Sequence, residues 1–305
     1  MKVRLLQTTG LGYFEEVMWD KPDILETEIE VSAIMTGICR SDIDMMLGNF
    51  GPLPLHMQGH EGLGQVTKVG SAISNVSIGD FVATRGEPAY ADLYNVRHNE
   101  YVIVPSADPK YILEPVACGI NIITQHLQLI RTKTNPRVLI LGSGFLSYVA
   151  YTTLMQSAIR CNEIIVVGNH NLHMWNIELQ TDYTGTFDIV IDLSGKSDIF
   201  ERDILNNEAL VIFGVQKTIT TDFSKLLWKA CTMVFPSPRT SRFHAEMEHA
   251  KRMIEQNQLH TSHFWTKGYD RDTEWQQAFD DGLNRQPGYS RGYIVWNHNK
   301  DIISA

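Results

Sequence analysis

The apolar run Val138-Leu139-Ile140-Leu141 ends on Gly142-Ser143-Gly144, and a helical stretch from Phe145 to Ile159 follows at once. No other feature limits the fold so tightly. A short apolar run, a tight glycine turn and a helix open a βαβ unit, whose strand is buried on both faces and so shows no polar alternation. Four more apolar runs continue the rhythm: Ile164 to Val167, Phe187 to Leu193, Ala209 to Val215 and Cys231 to Phe235, with helix-like segments such as Asp222 to Ala230 between them. Short buried strands alternating with helices predict an α/β region with a doubly wound parallel sheet and helices on both faces.

In Gly142-Ser143-Gly144-Phe145-Leu146-Ser147, the first glycine makes the turn. The second lets backbone N–H groups approach a pyrophosphate at the helix N-terminus, and the third position must be small. Ser147 holds that third place. A plain βα turn is the alternative, but the setting between strand and helix favours a dinucleotide. Gly142, Gly144, Phe145 and Leu146 are the cofactor-binding candidates. The second strand ends Val166-Val167-Gly168-Asn169-His170. An Asp or Glu at this point binds the adenosine ribose of NAD, yet the next acid is Glu178. Its absence removes a charge that would repel a 2′-phosphate. Gly168 leaves room, and Asn169 and His170 can donate hydrogen bonds, so NADP is expected over NAD. No arginine stands beside them, and a site with no preference, or with no cofactor at all, is the alternative.

Residues 1 to about 115 follow another rhythm, β-rich and punctuated by glycine. Glu28 to Ile34 alternates apolar and polar, which predicts a half-buried strand. Gly64 to Gly70 and Gly79 to Ala83 are short strand-like runs, and together they suggest an irregular barrel. After Pro236-Ser237-Pro238, an amphipathic helix is predicted from about Ser241 to Asn257, and a closing strand from Tyr293 to Trp296. The expected organisation is a discontinuous β-rich catalytic domain, 1–115 and 239–305, around a dinucleotide-binding domain, 116–238.

The chain's four cysteines are Cys39, Cys118, Cys161 and Cys231, none in a C-x-x-C pair. That excludes an all-cysteine zinc knuckle and a disulfide scaffold. Cys39-Arg40-Ser41-Asp42 nevertheless sets a thiol beside a hydroxyl and a carboxylate. Gly59-His60-Glu61-Gly62 adds an imidazole and a carboxylate, and Glu114-Pro115 a further carboxylate. Singly, such a cysteine is usually a small buried hydrophobe and such a His-Glu pair surface. Jointly, ahead of a dinucleotide turn, they suit a catalytic zinc with three protein ligands and one open position.

Lys and Arg number 26 against 35 Asp and Glu, a formal charge of −9, with no basic run. Such a chain offers no footprint for phosphate backbones, so nucleic-acid binding is disfavoured. No apolar stretch reaches the roughly 18 residues of a membrane helix, and the first residues lack the apolar core of about 7–15 residues of a secretory signal. A cytoplasmic protein is expected.

These motifs resemble those of the zinc-containing medium-chain alcohol dehydrogenases. Gly59-His60-Glu61-Gly62-Leu63-Gly64, with Gly70 beyond it, follows that family's zinc signature. Gly37-Ile38-Cys39-Arg40-Ser41-Asp42 matches its first-ligand segment. Glu114-Pro115 matches the third-ligand segment of the polyol and threonine dehydrogenase branch, and Ser290-Arg291-Gly292-Tyr293-Ile294-Val295 its closing strand. The resemblance implies a GroES-like, irregular β-barrel-like catalytic domain and a Rossmann cofactor domain. It implies that Cys39 and His60 ligate zinc and that Glu114 is the third ligand or holds the zinc-bound water. Glu61 would be an alternative ligand or a neighbour of the ligands, and Asp42 would orient His60. Ser41 would pass the alcohol proton toward solvent, and Arg40 and Arg291 would meet the pyrophosphate.

The implied activity is hydride transfer between a nicotinamide and a secondary alcohol or polyol, or its ketone or aldehyde. A zinc-free quinone or enone reductase and a non-catalytic nucleotide-binding protein on this scaffold are the alternatives. The family's cysteine-rich lobe is absent, with only Ala83 to Asn99 in its place, so one zinc per chain is expected. Between Val167 and Phe187 the chain is too short for the usual helix, strand and second helix. A homodimer or homotetramer is expected through edge strands such as Ala209 to Val215 or Cys231 to Phe235. Gly48 to Met57 and Thr261 to Gly268 are expected to line the substrate pocket, with no readable code for the substrate.

Overall fold

A computed structural model describes residues 1–49, 58–170, 172–195, 198–215 and 221–296. Residues 50–57 of the expected substrate loop lie outside this set. The chain divides into two units, Met1–Pro115 together with the chain from Met247 on, and Val116–Glu246. The first unit opens with β1 (Lys2–Gln7) and β2 (Glu15–Asp20), an antiparallel ribbon. Then come β3 (Glu28–Gly37), α1 (Arg40–Met46), β4 (Gly62–Val69), β5 (Phe81–Thr84), β6 (Leu93–Arg97) and β7 (Tyr101–Val104). The second unit contains most of α2 (Glu114–Thr124), then α3 (Leu127–Arg131), β8 (Arg137–Leu141), α4 (Phe145–Gln156), β9 (Glu163–Val167), β10 (Phe187–Asp192), β11 (Leu205–Phe213), α5 (Phe223–Trp228) and β12 (Thr232–Val234). The first unit resumes along α6 (Phe243–Glu255), followed by β13 (Trp265–Asp270), α7 (Trp275–Asn284) and β14 (Arg291–Val295).

The first unit is built on a seven-stranded sheet in the order β13-β14-β3-β4-β5-β7, with β6 paired to β3. Its core gathers Leu5, Ile29, Val31, Tyr90, Tyr94 and Trp296. One expectation is corrected here. The alternation in Glu28 to Ile34 predicts a half-buried strand, but β3 is buried from Ile29 to Gly37, an interior strand with β4 on one edge and β6 and β14 along the other. The polar residue Glu30, 3% exposed, therefore lies inside, against Lys21 at 2.7 Å, Lys68 at 3.0 Å and Thr67 at 2.9 Å. Burial alone would raise its pKa, but these hydrogen bonds outweigh burial and hold it below the usual glutamate value.

The second unit is a five-stranded parallel sheet ordered β12-β11-β10-β8-β9. The strand order reverses between β8 and β10, the switch point at whose carboxyl ends open α/β sheets bind ligands. The expected shortening after Val167 is present. Beyond β9, the place of a further strand holds an isolated bridge from Val167 to Gln180, and the connection carries a single helical turn, Leu172–Met174. Among the described residues, one turn, Asp198–Phe200, stands between β10 and β11. The glycine turn thus has its full helix α4. No helix among the described residues is long and apolar enough to cross a membrane.

Candidate metal centre and cofactor turn

The donors of the first unit reach one another because two short segments are fixed at the ends of β3 and β4. Cys39 caps α1, and its N–H donates to Asp42 Oδ2 at 2.9 Å, which closes the first turn of that helix. His60 and Glu61 precede β4 directly. Gly59, at φ +74°, turns the chain into them, and a Cβ there would stand 2.6 Å from the Tyr90 ring, so only glycine fits. Ligand atoms of Cys39, His60 and Glu61 come within 4.8 Å of one another, with Cys39 and His60 partly exposed and Glu61 buried.

Glu114 is not part of that trio. It begins α2, is 3% exposed, and acts on His60 through its charge. Expected as the third ligand, it stands farther out than Glu61, expected only as the alternative. Asp42 is fully buried behind His60, its Oδ1 3.7 Å from His60 Nδ1. Ser41 Oγ lies 3.4 Å from His60 Nε2. Arg291, from β14, grips both carboxylate oxygens of Glu61, one of them at 2.6 Å, and lies over the Trp265 ring at 4.8 Å. The resemblance assigns Arg291 to the cofactor phosphates; in the structure it holds a carboxylate 230 residues away. Arg40 is exposed and pairs with Asp44 at 3.2 Å.

The electrostatics of this cluster ask for a cation. Three buried carboxylates, Asp42, Glu61 and Glu114, lie around a thiol and an imidazole, with the Arg291 guanidinium on Glu61 and that of Arg285 near Cys39. Burial opposes charge on His60, but Asp42, Cys39 and Glu114 overcome it and hold the imidazole well above its ordinary pKa. Burial first, and then the Glu61 charge, push the Cys39 thiol up. Oδ1 of Asp42 has no hydrogen-bond partner. A thiol, an imidazole and a carboxylate in an excess of negative charge fit a zinc-type ion, whose charge would relieve both shifts.

In the second unit the glycine turn has the expected form. Gly142 adopts φ +109°, and Gly144 is the N-cap of α4 with no side chain capping it. A Cβ on Gly144 would meet nothing within 4 Å, so the space before the first helical turn is open. Phe145 is buried, Leu146 partly so, and Ser147, 1% exposed, fits the third small position. This cradle fits a pyrophosphate on backbone N–H groups.

Gly168 requires a correction. It was read as leaving room for a phosphate, but a Cβ there would lie 2.3 Å from Ser143 Oγ and 2.8 Å from Ser143 N. The space is filled by the turn itself. Ser143 Oγ donates to the His170 carbonyl at 2.6 Å and accepts the His170 N–H at 3.1 Å, while Trp175 Nε1 donates to the Ser143 carbonyl at 3.1 Å. Asn169 and His170 remain exposed, with no carboxylate in their segment. Sequence reasoning missed Trp175, which packs edge-on to Tyr148 at 5.5 Å, and Tyr90, which touches Asp42. Neither stands in a spacing that signals its role.

Residues 25–109 match the alcohol dehydrogenase GroES-like domain. That match spans 85 of the 305 residues and includes Cys39, His60 and Glu61. An alcohol dehydrogenase of Schizosaccharomyces pombe is 39% identical over 75 residues, 24% of this chain and 21% of that protein. A D-xylulose reductase of Scheffersomyces stipitis is 37% identical over 87 residues, 26% of this chain and 24% of its own length. Both matches thus span about a quarter or less of these curated relatives. Among solved structures, a zinc dependent alcohol dehydrogenase 2 from Streptococcus pneumonia superposes with a TM-score of 0.78 at 16% identity, covering 96% of this chain and 98% of that one. At that identity the likeness speaks for the fold.

Proposed function

We propose that the chain is a zinc-dependent oxidoreductase that moves a hydride between a nicotinamide, NADP in preference to NAD, and a secondary alcohol or polyol or the matching ketone or aldehyde. The observation that carries this reading is the Cys39, His60 and Glu61 trio, with ligand atoms within 4.8 Å and Asp42 behind the imidazole. Cys39 and His60 would hold the metal, with Glu61 or Glu114 as the third donor. Bound there, zinc would act as a Lewis acid on the substrate oxygen. The polyol class draws support from the D-xylulose reductase relative.

The chain's own groups do the remaining work. Asp42 Oδ1 faces His60 Nδ1 and keeps the proton on that nitrogen, which leaves Nε2 as the ligand. The Ser41 hydroxyl, 3.4 Å from Nε2 and partly exposed, takes the alcohol proton and returns its own to solvent. Arg291 holds Glu61 in place. On the second unit, the N–H groups around Gly144 bind the pyrophosphate. The absence of a carboxylate at Gly168-Asn169-His170 supports NADP.

A homodimer or homotetramer is proposed through β12. That strand lies at the sheet edge, whereas β11, the other strand expected there, is interior, and Phe223, Leu227 and Trp228 of the preceding α5 and Phe235 just after β12 are 66%, 76%, 85% and 66% exposed. Light scattering on the wild type and Trp228→Glu tests it; a monomeric wild type overturns it. Elemental analysis tests the metal reading. About one zinc per chain is expected, no zinc removes the reading, and two tightly bound zincs remove the single-site form of it.

A further inference from the structure

Asp42 is a buried carboxylate whose two oxygens have different surroundings. Oδ2 accepts the Cys39 N–H at 2.9 Å and the Tyr90 hydroxyl at 2.8 Å, whereas Oδ1 faces His60 Nδ1 at 3.7 Å with no hydrogen bond of its own. The Cys39 contact is local, three residues apart in one helical turn. Tyr90 comes 48 residues later from a different part of the unit and fixes the carboxylate from the other side.

Tyr90 is itself held firmly. It is fully buried, and its ring stands edge-on to Phe14 at 5.9 Å and to Phe279 at 5.4 Å, while those two rings stack at 3.8 Å. Its carbonyl accepts the Leu6 N–H at 2.9 Å, and the neighbouring Ala89 N–H donates to the Gly59 carbonyl at 2.8 Å. The hydroxyl also lies 3.1 Å from the Gly37 carbonyl. It has one proton for two acceptors, and the charged one is the stronger. Burial and the Asp42 charge keep the phenol well above its ordinary pKa, so it remains a donor.

We propose that Tyr90 is a positioning residue of the metal centre: its hydroxyl pins Asp42 by Oδ2, so that Oδ1 alone is presented to His60 Nδ1 and the imidazole is set with Nε2 toward the metal. This rests on the zinc reading above. Without the hydroxyl, Asp42 Oδ2 keeps only the Cys39 N–H, and the carboxylate can turn about that single contact. His60 then loses the orientation that makes it a good ligand, at a cost near the low end of the roughly 10–100-fold range for partners of metal-bound histidines.

The test compares Tyr90→Phe with Tyr101→Phe. Both remove one hydroxyl from a buried ring, but Tyr101 donates to Asn75 at 3.1 Å, and neither is among the donor residues. Zinc affinity is measured by chelator competition on wild type and both variants, with thermal midpoints recorded and the visible spectrum of cobalt-loaded protein as a second readout. The expected result is a loss of about 10-fold in zinc affinity and a changed cobalt spectrum for Tyr90→Phe, with Tyr101→Phe unchanged in both and similarly lowered in thermal midpoint. Wild-type affinity and spectrum in Tyr90→Phe overturn the proposal while leaving the zinc reading intact. So does an equal affinity loss in Tyr101→Phe, which makes the effect one of stability. A wild type that takes up no zinc overturns both.

Discussion

The donor cluster and the glycine turn are built from opposite materials. Around Cys39, His60 and Glu61, charged side chains converge in a mostly buried place, held by partners as distant as Tyr90 and Arg291. At Gly142-Ser143-Gly144, backbone and empty space make the site. The two glycines flanking the cofactor turn show how the second kind works. Gly144 has nothing within 4 Å of where a Cβ would stand, whereas Gly168 has Ser143 at 2.3 Å. The same residue type marks open space for a ligand at one position and close contact with the chain itself at the other. A side-chain site is therefore legible by residue type and spacing, while a backbone site is legible only as a place where something comes close.

The sharpest way to break this contrast is to remove donors. Cys39→Ala or His60→Ala should lower zinc affinity by more than about 100-fold, beyond the range for mere partners of a ligand, and abolish turnover. Cofactor binding, measured by fluorescence titration, should stay near wild type, because the glycine turn belongs to the other unit. Glu114→Gln should cost less than Glu61→Gln, since Glu61 and not Glu114 completes the trio. The reverse ranking would restore Glu114 as the third ligand.

The glycine pair comes next. Gly168→Ala should destabilise the protein by about 1–3 kcal/mol through overpacking against Ser143, read as a lower thermal midpoint. Gly144→Ala should leave the midpoint within about 0.5 kcal/mol of wild type, as for a site with nothing to strike, and should raise the cofactor KM. Equal effects on stability would erase the distinction between the two glycines.

The strand and helix order of the second unit and the ends of β3 and β4 were legible because each depends on neighbours within a few residues; Cys39 and His60 were legible by residue type, while Glu61, expected only as an alternative to Glu114, is the carboxylate that joins them. The apolar runs placed β8 to β12 within a few residues, although the helix after Gly144 ends at Gln156 and not at Ile159. Glu30 misled because alternation reports polarity and not exposure: its carboxylate is buried against Lys21, Lys68 and Thr67, which satisfy it inside the fold. Arg291 was found but given another partner, since nothing local links it to Glu61. Tyr90 and Trp175 were invisible for the same reason: each acts through one contact made far along the chain.

Smaller effects probe the cofactor side. The Ser143 contact makes Gly168→Asp a poor test of cofactor choice, because it would disturb the turn as well. Asn169→Asp places the carboxylate one residue on, at an exposed position, and should move the ratio of kcat/KM toward NADH by about 1–3 kcal/mol. A wild type that already prefers NADH would remove the NADP inference. Trp175→Phe deletes the indole bond to the Ser143 carbonyl while keeping a ring against Tyr148, and should cost about 1 kcal/mol of stability in denaturant unfolding. No loss there would mean that the shortened connection does not brace the turn.

The most direct measurement follows the absorbance of reduced nicotinamide while the protein is offered a panel of secondary alcohols and polyols, before zinc removal, after it, and after zinc is restored. If the Cys39, His60 and Glu61 trio is a catalytic metal centre, at least one alcohol drives cofactor reduction, chelation stops it, and added zinc brings it back in the wild type but not in Cys39→Ala. Turnover that survives chelation, or that persists in Cys39→Ala, would contradict the zinc centre and leave a metal-free reductase on the same fold.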